Sequence, residues 1–303
     1  MDQENTIPLQ TVQNGLFAIL QYIRDVCDRN GLRYYLAYGT LIGAVRHQGF
    51  IPWDDDMDVH MPREDFLRFA DILKQEPHPY YRLLSKETSS EVTRIIPKMI
   101  DSRTRLKQNS PLREEKIPWG IFVDIFILDG AGNTRGEAEA TYRKAFSLFS
   151  HWRRTMKKMF VPGENSVYTF LVWFKHIPEK IMGCRYWIKK HDAFCKRKAY
   201  DDCIYVSALD AGTKEPDRNI WKREWFGEGT AVTFNGETFR APANWDAVLR
   251  PEYGDYMTPP PQEERNPKHF CSLDIPDPGV LEELSGNKTN TGSEQTTDVE
   301  RRF

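Results

Sequence analysis

Apolar residues recur at Leu9, Val12, Leu16, Ile19, Leu20, Ile23 and Val26, the spacing of one helical face, and the pattern stops at Asn30-Gly31. This predicts a helix over 9–29. "RYYLAYG" at 33–39 then reads as a strand, and "TLIGAVRH" as a short helix with Thr40 as its N-cap. "MDVHM" is a second strand, closed by Pro62, and "REDFLRFADILKQ" is an amphipathic helix. "YYRLLSK", "VTRIIPKMID" and "WGIFVDIFIL" follow as strands, the last so continuously apolar that it belongs in the middle of a sheet. From Thr134 to Lys198 the period is helical, with breaks expected near Pro162-Gly163 and Pro178. Shorter strands are expected near 203–208 and 231–241, then a helix in "NWDAVLRPEYGDY" that stops before a Pro-rich turn. Residues 282–303 are polar and poor in aromatics, the composition of a disordered tail. There is no internal repeat. The expected architecture is α/β (α+β): a mixed sheet flanked by helices, one domain over 1–281 with a helical insertion at about 134–198.

Composition narrows the class. The chain has 303 residues, 40% hydrophobic and 28% charged, which is enough to build a core without disulfide or metal staples. Its five cysteines, Cys27, Cys184, Cys195, Cys203 and Cys271, are scattered and form no C-x-x-C pair, as expected of a reduced cytoplasmic chain. His191 and Cys195, four apart on a predicted helix with Cys203 nearby, could begin a zinc site, although buried cysteine is commoner. "MDQENTIPLQ" carries no basic region followed by an apolar run, so no signal peptide is expected, and the N-x-T sequon at Asn287 then carries no meaning. The longest apolar stretch, "VYTFLVWF" at 167–174, is far short of a membrane span. Charge is unevenly spread: net −2 overall, but residues 143–198 hold fourteen Lys or Arg against three acidic residues. Such a segment is either a pair of helices with solvated basic faces or a surface that meets anionic lipid or polymer.

The candidate chemistry lies in "FIPWDDDMDVH" at 50–60, where four aspartates crowd into five positions. Neighbouring carboxylates disfavour each other's ionisation, and a bound cation is one relief. If the segment is a strand, Asp54, Asp56 and Asp58 face one way and Asp55, Met57 and Val59 the other. Oxygen ligands of this kind suit Mg²⁺ or Mn²⁺. A calcium-binding EF-hand loop is excluded, because its sixth position needs Gly and its twelfth Glu, and here these are Val59 and Asp65. Asp124, between Phe122 and Phe126 on its own face of an apolar strand, would be costly to bury unless paired or metal-bound. Asp56, Asp58 and Asp124 can therefore form a metal triad from two strands, with Asp54 a fourth candidate. Pairing of Asp124 with a buried Arg or Lys is the alternative. Gly39-Thr40 stands where a strand turns into a helix whose free N–H groups can receive phosphate oxygens.

The stretch "YGTLIGAVRHQGFIPWDDDMDVHMPREDF" closely resembles the hallmark of the LicD-like phosphocholine transferases, related to fukutin-type enzymes. "IIPKMIDSRT", "GIFVDIFILDG" and "YGDYMTPPP", with His269 beyond, extend the resemblance over roughly residues 15–270. Ile127 stands where the pattern has proline. The resemblance implies a nucleotidyltransferase-like core, with Gly39 and Thr40 at the phosphate-side turn, Asp56 and Asp58 as the metal pair and Asp124 as the third, catalytic carboxylate. It further implies transfer of a phospho-group from CDP-choline, or another CDP-alcohol, to a hydroxyl of a glycan or lipid-linked glycan precursor. Mg²⁺ (or Mn²⁺) would then neutralise the diphosphate while a carboxylate takes the acceptor proton. Arg46 and Lys98 are the candidate donor-binding cations, with Arg103 behind them; surface or structural ion pairing is the alternative for each. Trp53, Trp119, Tyr253 and Tyr256 are candidates for an aromatic box around a quaternary ammonium. Nucleic acid is not an expected partner. Peripheral contact with the inner face of the plasma membrane, through the basic segment, is. Two rival activities are a nucleotidyltransferase that releases pyrophosphate and a catalytically silent glycan-binding domain.

Overall fold

The computed structural model describes residues 7–107, 112–113, 117–158, 166–267 and 272–286. The first helix, α1 (Leu9–Asn30), is the one the apolar spacing predicts, with Leu16, Ile19, Leu20 and Ile23 fully buried. It ends at Gly31, whose left-handed φ of 61° lets the following N–H groups reach the last carbonyls. Next come β1 (Tyr35–Leu36), α2 (Tyr38–Ile42) continuing into a π-helical turn (Gly43–His47), β2 (Asp58–Pro62) and α3 (Arg63–Gln75). The strands β3 (Tyr81–Leu84), β4 (Lys98–Asp101), β5 (Arg105–Lys107) and β6 (Phe122–Gly132) follow. The chain then leaves the sheet for α4 (Arg135–Met156), α5 (Ser166–Lys175), α6 (Ile177–Met182) and α7 (Cys184–Cys195). It continues through β7 (Tyr205–Ala208), β8 (Ile220–Lys222), the hairpin β9 (Thr230–Phe234) and β10 (Glu237–Ala241), α8 (Trp245–Tyr253), β11 (Ser272–Asp274) and α9 (Pro278–Ser285).

Seven strands form a mixed sheet in the order β1-β2-β6-β4-β3, with β7 and β8 extending from β6. Only β2 and β6 run parallel. On one edge β6 holds β2; on the other it holds β4 at its start and β7 at its end. That central place explains its unbroken apolar run. Strand alternation then sorts the two faces. Val59, Met61, Val123, Ile125 and Ile127 enter the main core with residues of α1, α3 and the β9–β10 hairpin. The opposite face carries Asp58 and His60 of β2 beside Asp124 and Phe126 of β6, with Tyr38 and Trp221 packed on His60.

Several sequence expectations change. The strand expected over 33–39 shrinks to Tyr35–Leu36 because the chain turns at Tyr38, whose φ of 44° is left-handed. The helix starts there, so Ala37 is its N-cap and Thr40 lies inside it. The second strand begins only at Asp58, and residues 54–57 form a loop that does not alternate as a strand. The break expected near Pro178 falls at His176, because Pro178 lies in the first turn of α6, where its missing N–H is no loss; a further break follows at Gly183. Pro162-Gly163 lies outside the described residues. β5, β8 and β11, of three residues each, were invisible to a periodicity reading. α9 runs past position 282 and buries Val280 and Leu284 in the main core. The rest of the expected tail, with Asn287, and likewise His269 and Cys271, lies outside the described residues.

Candidate active site

Strand register places Asp58 opposite Asp124 across β2 and β6, and Lys98 opposite Asp124 across β4 and β6. Residues paired in register share a face, so two carboxylates and an ammonium form a row across three strands. Lys98 Nζ pairs with Asp124 Oδ1 and lies 3.6 Å from the centroid of the Phe122 ring. The row continues into the loop before β2. There Asp54, Asp55 and Asp56 each place a carboxylate oxygen within 4.8 Å of the others. Two hydrogen bonds to its carbonyls pin this loop: the Asp124 N–H donates to the Met57 carbonyl (2.9 Å), and Gln13 Nε2 donates to the Asp54 carbonyl (2.9 Å).

Asp54, Asp56, Asp58 and Asp124 line one cleft of about 630 Å³. Tyr38, Gly39, Arg46, Trp53, Thr213, Asn219, Glu252, Tyr253 and Tyr256 line the same cleft. Thr40 is not on the surface of the cleft. It is buried beneath it, and its hydroxyl accepts the Asp58 N–H at 2.8 Å, which fixes the first residue of β2 against α2. Gly39 does face the cleft, for a reason the motif alone did not show: a Cβ there would stand 2.8 Å from Asp54 Oδ2.

Burial pushes the Asp54 carboxyl up to about 8, with the Asp56 charge adding to it. Burial likewise raises Asp58, followed by the charges of Asp56 and Asp124, while Lys98 pulls it down. Carboxylates so crowded are destabilised as anions unless a cation joins them, and an all-oxygen donor set suits a hard divalent ion. The chemistry of this donor set fits Mg²⁺ or Mn²⁺; among the described residues the carboxylates that approach one another within 4.8 Å as a group of three are Asp54, Asp55 and Asp56, while the expected triad Asp56, Asp58 and Asp124 shares the cleft without forming such a cluster.

Of the two candidate donor-binding cations, Arg46 lies in the cleft, where Nη1 donates to the Tyr256 carbonyl. Its pKa is lowered first by burial and then by Arg265, a second guanidinium that stacks over Trp53 at 5.1 Å. Lys98 instead borders an adjoining groove of about 370 Å³ with Trp119, Phe122, Arg94 and Arg153; Asp124 borders both spaces. Trp119 is thus outside the cleft, against Phe122, whereas Trp53, Tyr253 and Tyr256 are in it. Arg103 is committed to Asp101 (2.7 Å) and Glu283 (2.8 Å).

Sequence reasoning missed Tyr38, Phe126, Asn219 and Glu252. Tyr38 is held by a bond from its hydroxyl to Asn219 Oδ1 (2.6 Å), and its ring lies 4.9 Å from that of Phe126. The left-handed φ of Tyr38 had no signature, since the motif offers Gly39 next door. The zinc reading gains nothing: His191 packs on Cys195 and bonds the Leu209 carbonyl (3.2 Å), and among the described residues Cys203 forms no ligand cluster with them.

The sequence profile of the family described as LicD/FKTN/FKRP, nucleotidyltransferase domain, matches residues 31–163. Over 254 residues the chain is 30% identical to the lipopolysaccharide cholinephosphotransferase LicD of Haemophilus influenzae, covering 83% of this chain and 92% of that protein. It belongs to the LicD family and is a phosphotransferase enzyme. Shorter similarities are 40% identity over 69 residues to an uncharacterized protein of Rickettsia typhi (23% of this chain, 22% of that one) and 44% over 45 residues to the human ribitol 5-phosphate transferase FKRP (15% and 9%).

Proposed function

We propose that this chain moves phosphocholine, or a related phospho-alcohol, from a CDP-linked donor to a hydroxyl of a cell-surface glycan precursor, with Mg²⁺ or Mn²⁺ as cofactor. The observation that carries the reading is the set of four carboxylates on one wall of a cleft that also holds Arg46 and Gly39, in a chain of this family. Asp56, Asp58 and Asp124 would hold the cation, with Asp54 as a further ligand; bound there, it neutralises the diphosphate and the departing CMP. The Arg46 guanidinium offers planar, fixed donors to phosphate oxygens. Lys98 is a positioning residue that sets the Asp124 carboxylate. The proton of the incoming hydroxyl passes to a carboxylate of this set, and Asp124, bordering cleft and groove, is near enough to both to meet it. In the same cleft, the rings of Tyr38, Phe126 and Tyr253 with the Glu252 carboxylate make an environment suited to a quaternary ammonium. Work on such a precursor belongs in the cytoplasm, at the inner face of the plasma membrane; among the described residues no helix is long and apolar enough to cross it.

Mass spectrometry of products from CDP-choline, CDP-ribitol, CDP-glycerol and CTP with a glycan acceptor tests the reading. CMP release and a mass gain of one phospho-alcohol are expected. Pyrophosphate release from CTP would favour the nucleotidyltransferase alternative, and no metal-dependent turnover of any donor would favour a binding domain. If choline is the alcohol, Tyr253→Ala should raise KM for CDP-choline about tenfold with kcat within a few-fold, a loss of ~1.4 kcal/mol typical of one cation–π wall. An equal effect on CDP-glycerol would refute the choline assignment.

Gly39→Val should leave the fold intact, because the Asp54 side chain can swing aside, but weaken CDP-alcohol binding at least about tenfold by displacing Asp54 and filling the cleft wall. Isothermal titration is the measurement. Wild-type affinity in the folded variant would show that this wall does not meet the donor.

A further inference from the structure

Most of the large apolar side chains left exposed among the described residues belong to one place, α5 and α6. On α5, Val167, Phe170, Leu171 and Phe174 follow the spacing of a single helical stripe, the pattern that normally marks a core-facing side. Here the stripe faces outward: with Ile181 and Met182 of α6, these residues are between 42% and 80% exposed. The other side of α5 is the anchored one. Trp173 is half-buried under Lys180 Nζ, 5.3 Å from its ring centroid, and Lys180 donates to the Arg154 and Lys157 carbonyls (3.0 and 3.1 Å) at the end of α4. The stripe is therefore held in place by a cation that serves the helix beneath it.

The exposed charge of this helical region has one sign: Lys175 ends α5, and Arg185, Lys189 and Lys190 are exposed on α7, which begins two residues after Met182. The acidic residues described on α6 and α7 point inward. Glu179 meets His176 (3.4 Å), His151 and Arg154 (both 3.6 Å), and Asp192 meets Arg63, Lys86 (both 3.0 Å) and Lys196 (2.8 Å). An aromatic-rich apolar stripe in a helical region whose exposed charges are lysine and arginine, with the local acids withdrawn, is complementary to a surface that is apolar within and anionic at its face. A ten-residue helix is about 15 Å long, half the hydrocarbon thickness of a bilayer, so it can lie in the interface but cannot span it.

We propose that α5 and the end of its neighbour α6 form a membrane-insertion element: the stripe Val167, Phe170, Leu171 and Phe174 enters the headgroup–acyl boundary of an anionic bilayer while the surrounding basic residues meet lipid phosphates. This stands apart from the cleft and from the phosphotransfer reading, and adds apolar insertion to attraction by charge.

Co-sedimentation of the full chain, without donor, with phosphatidylcholine vesicles that do or do not contain phosphatidylglycerol is the test. Binding is expected to prefer the anionic vesicles. It should weaken but persist as ionic strength rises from about 0.1 to about 1 M, where the screening length falls from ~10 to ~3 Å. Phe170→Ser/Phe174→Ser should lower partitioning about tenfold or more, through lost apolar burial. Lys175→Glu/Lys189→Glu should lower it on anionic vesicles only. Neither variant should change the circular dichroism spectrum or turnover of a soluble acceptor, a readout that separates this proposal from the activity. No sedimentation with anionic vesicles, complete loss of binding at high salt, or wild-type binding by the Phe variant would overturn the proposal. So would a dimer in sedimentation velocity that the Phe variant dissolves, since the stripe would then serve a second copy of the chain.

Discussion

Replacing Asp58 by asparagine should abolish turnover and, at the same time, make the cation-free protein more stable. The side chain is buried on the sheet face beside Asp124, and the bond from the backbone N–H of residue 58 to the Thr40 hydroxyl survives the change. Loss of a charge that would hold the cation at the reacting phosphate is expected to lower kcat by at least about 10²- to 10³-fold. The stability effect has the opposite sign because this carboxyl is raised by burial and by the charges of Asp56 and Asp124. An acid whose folded pKa lies above its unfolded value adds stability that is complete below the unfolded pKa and lost as pH rises through the folded one. For Asp54, whose carboxyl reaches about 8 against an ordinary 3.8, that window opens near 4 and closes near 8. In EDTA, the difference in melting temperature between the Asp58→Asn variant and wild type should therefore widen as pH rises above the ordinary carboxylate value of 3.8, and Mg²⁺ should narrow it. A variant with wild-type turnover, or a difference unchanged by pH and by Mg²⁺, would contradict the assignment.

The largest loss of stability should come from a residue well away from the cleft. Arg63, the first residue of α3, is buried and forks onto Asp129 of β6, with Nη2 to Oδ2 at 2.7 Å, while Nη1 reaches Asp192 of α7 at 3.0 Å. One guanidinium thus ties a flanking helix, the central strand and the helical region together. Arg63→Leu leaves the Asp129 carboxylate buried without its partner, a change that typically costs about 3–5 kcal/mol. Removing both charges as Arg63→Leu/Asp129→Leu should recover much of that, because the expense lies in the stranded charge more than in the lost attraction. Urea unfolding measures both. A single variant within about 1 kcal/mol of wild type would mean that Asp129 finds water or another partner.

How much of this was legible beforehand depends on the range of the interaction. α1, α3 and β6 were read within a few residues because their apolar periods are local and long enough to count. The aspartates were identified because like charge crowded into an apolar run has few physical explanations. Their arrangement was not legible. Asp54, Asp56 and Asp58 share a cleft through a loop pinned by Gln13 and Asp124, not through strand alternation. The chemistry of Lys98 suits either a donor phosphate or a structural ion pair, and it is strand register that sets it against Asp124. Glu252 and Asn219 carry no local mark, since their place beside Tyr38 follows from how α8 and the chain before β8 pack on the sheet.

The helix α5 shows the limit most clearly. Its stripe has the spacing of a buried face, and on pattern alone it would be counted with the core. A sequence determines which side of a helix is apolar, because that depends only on residues three and four apart. What lies against that side, another helix or the solvent, depends on segments distant in the chain, and here only the tertiary structure could show the stripe turned outward.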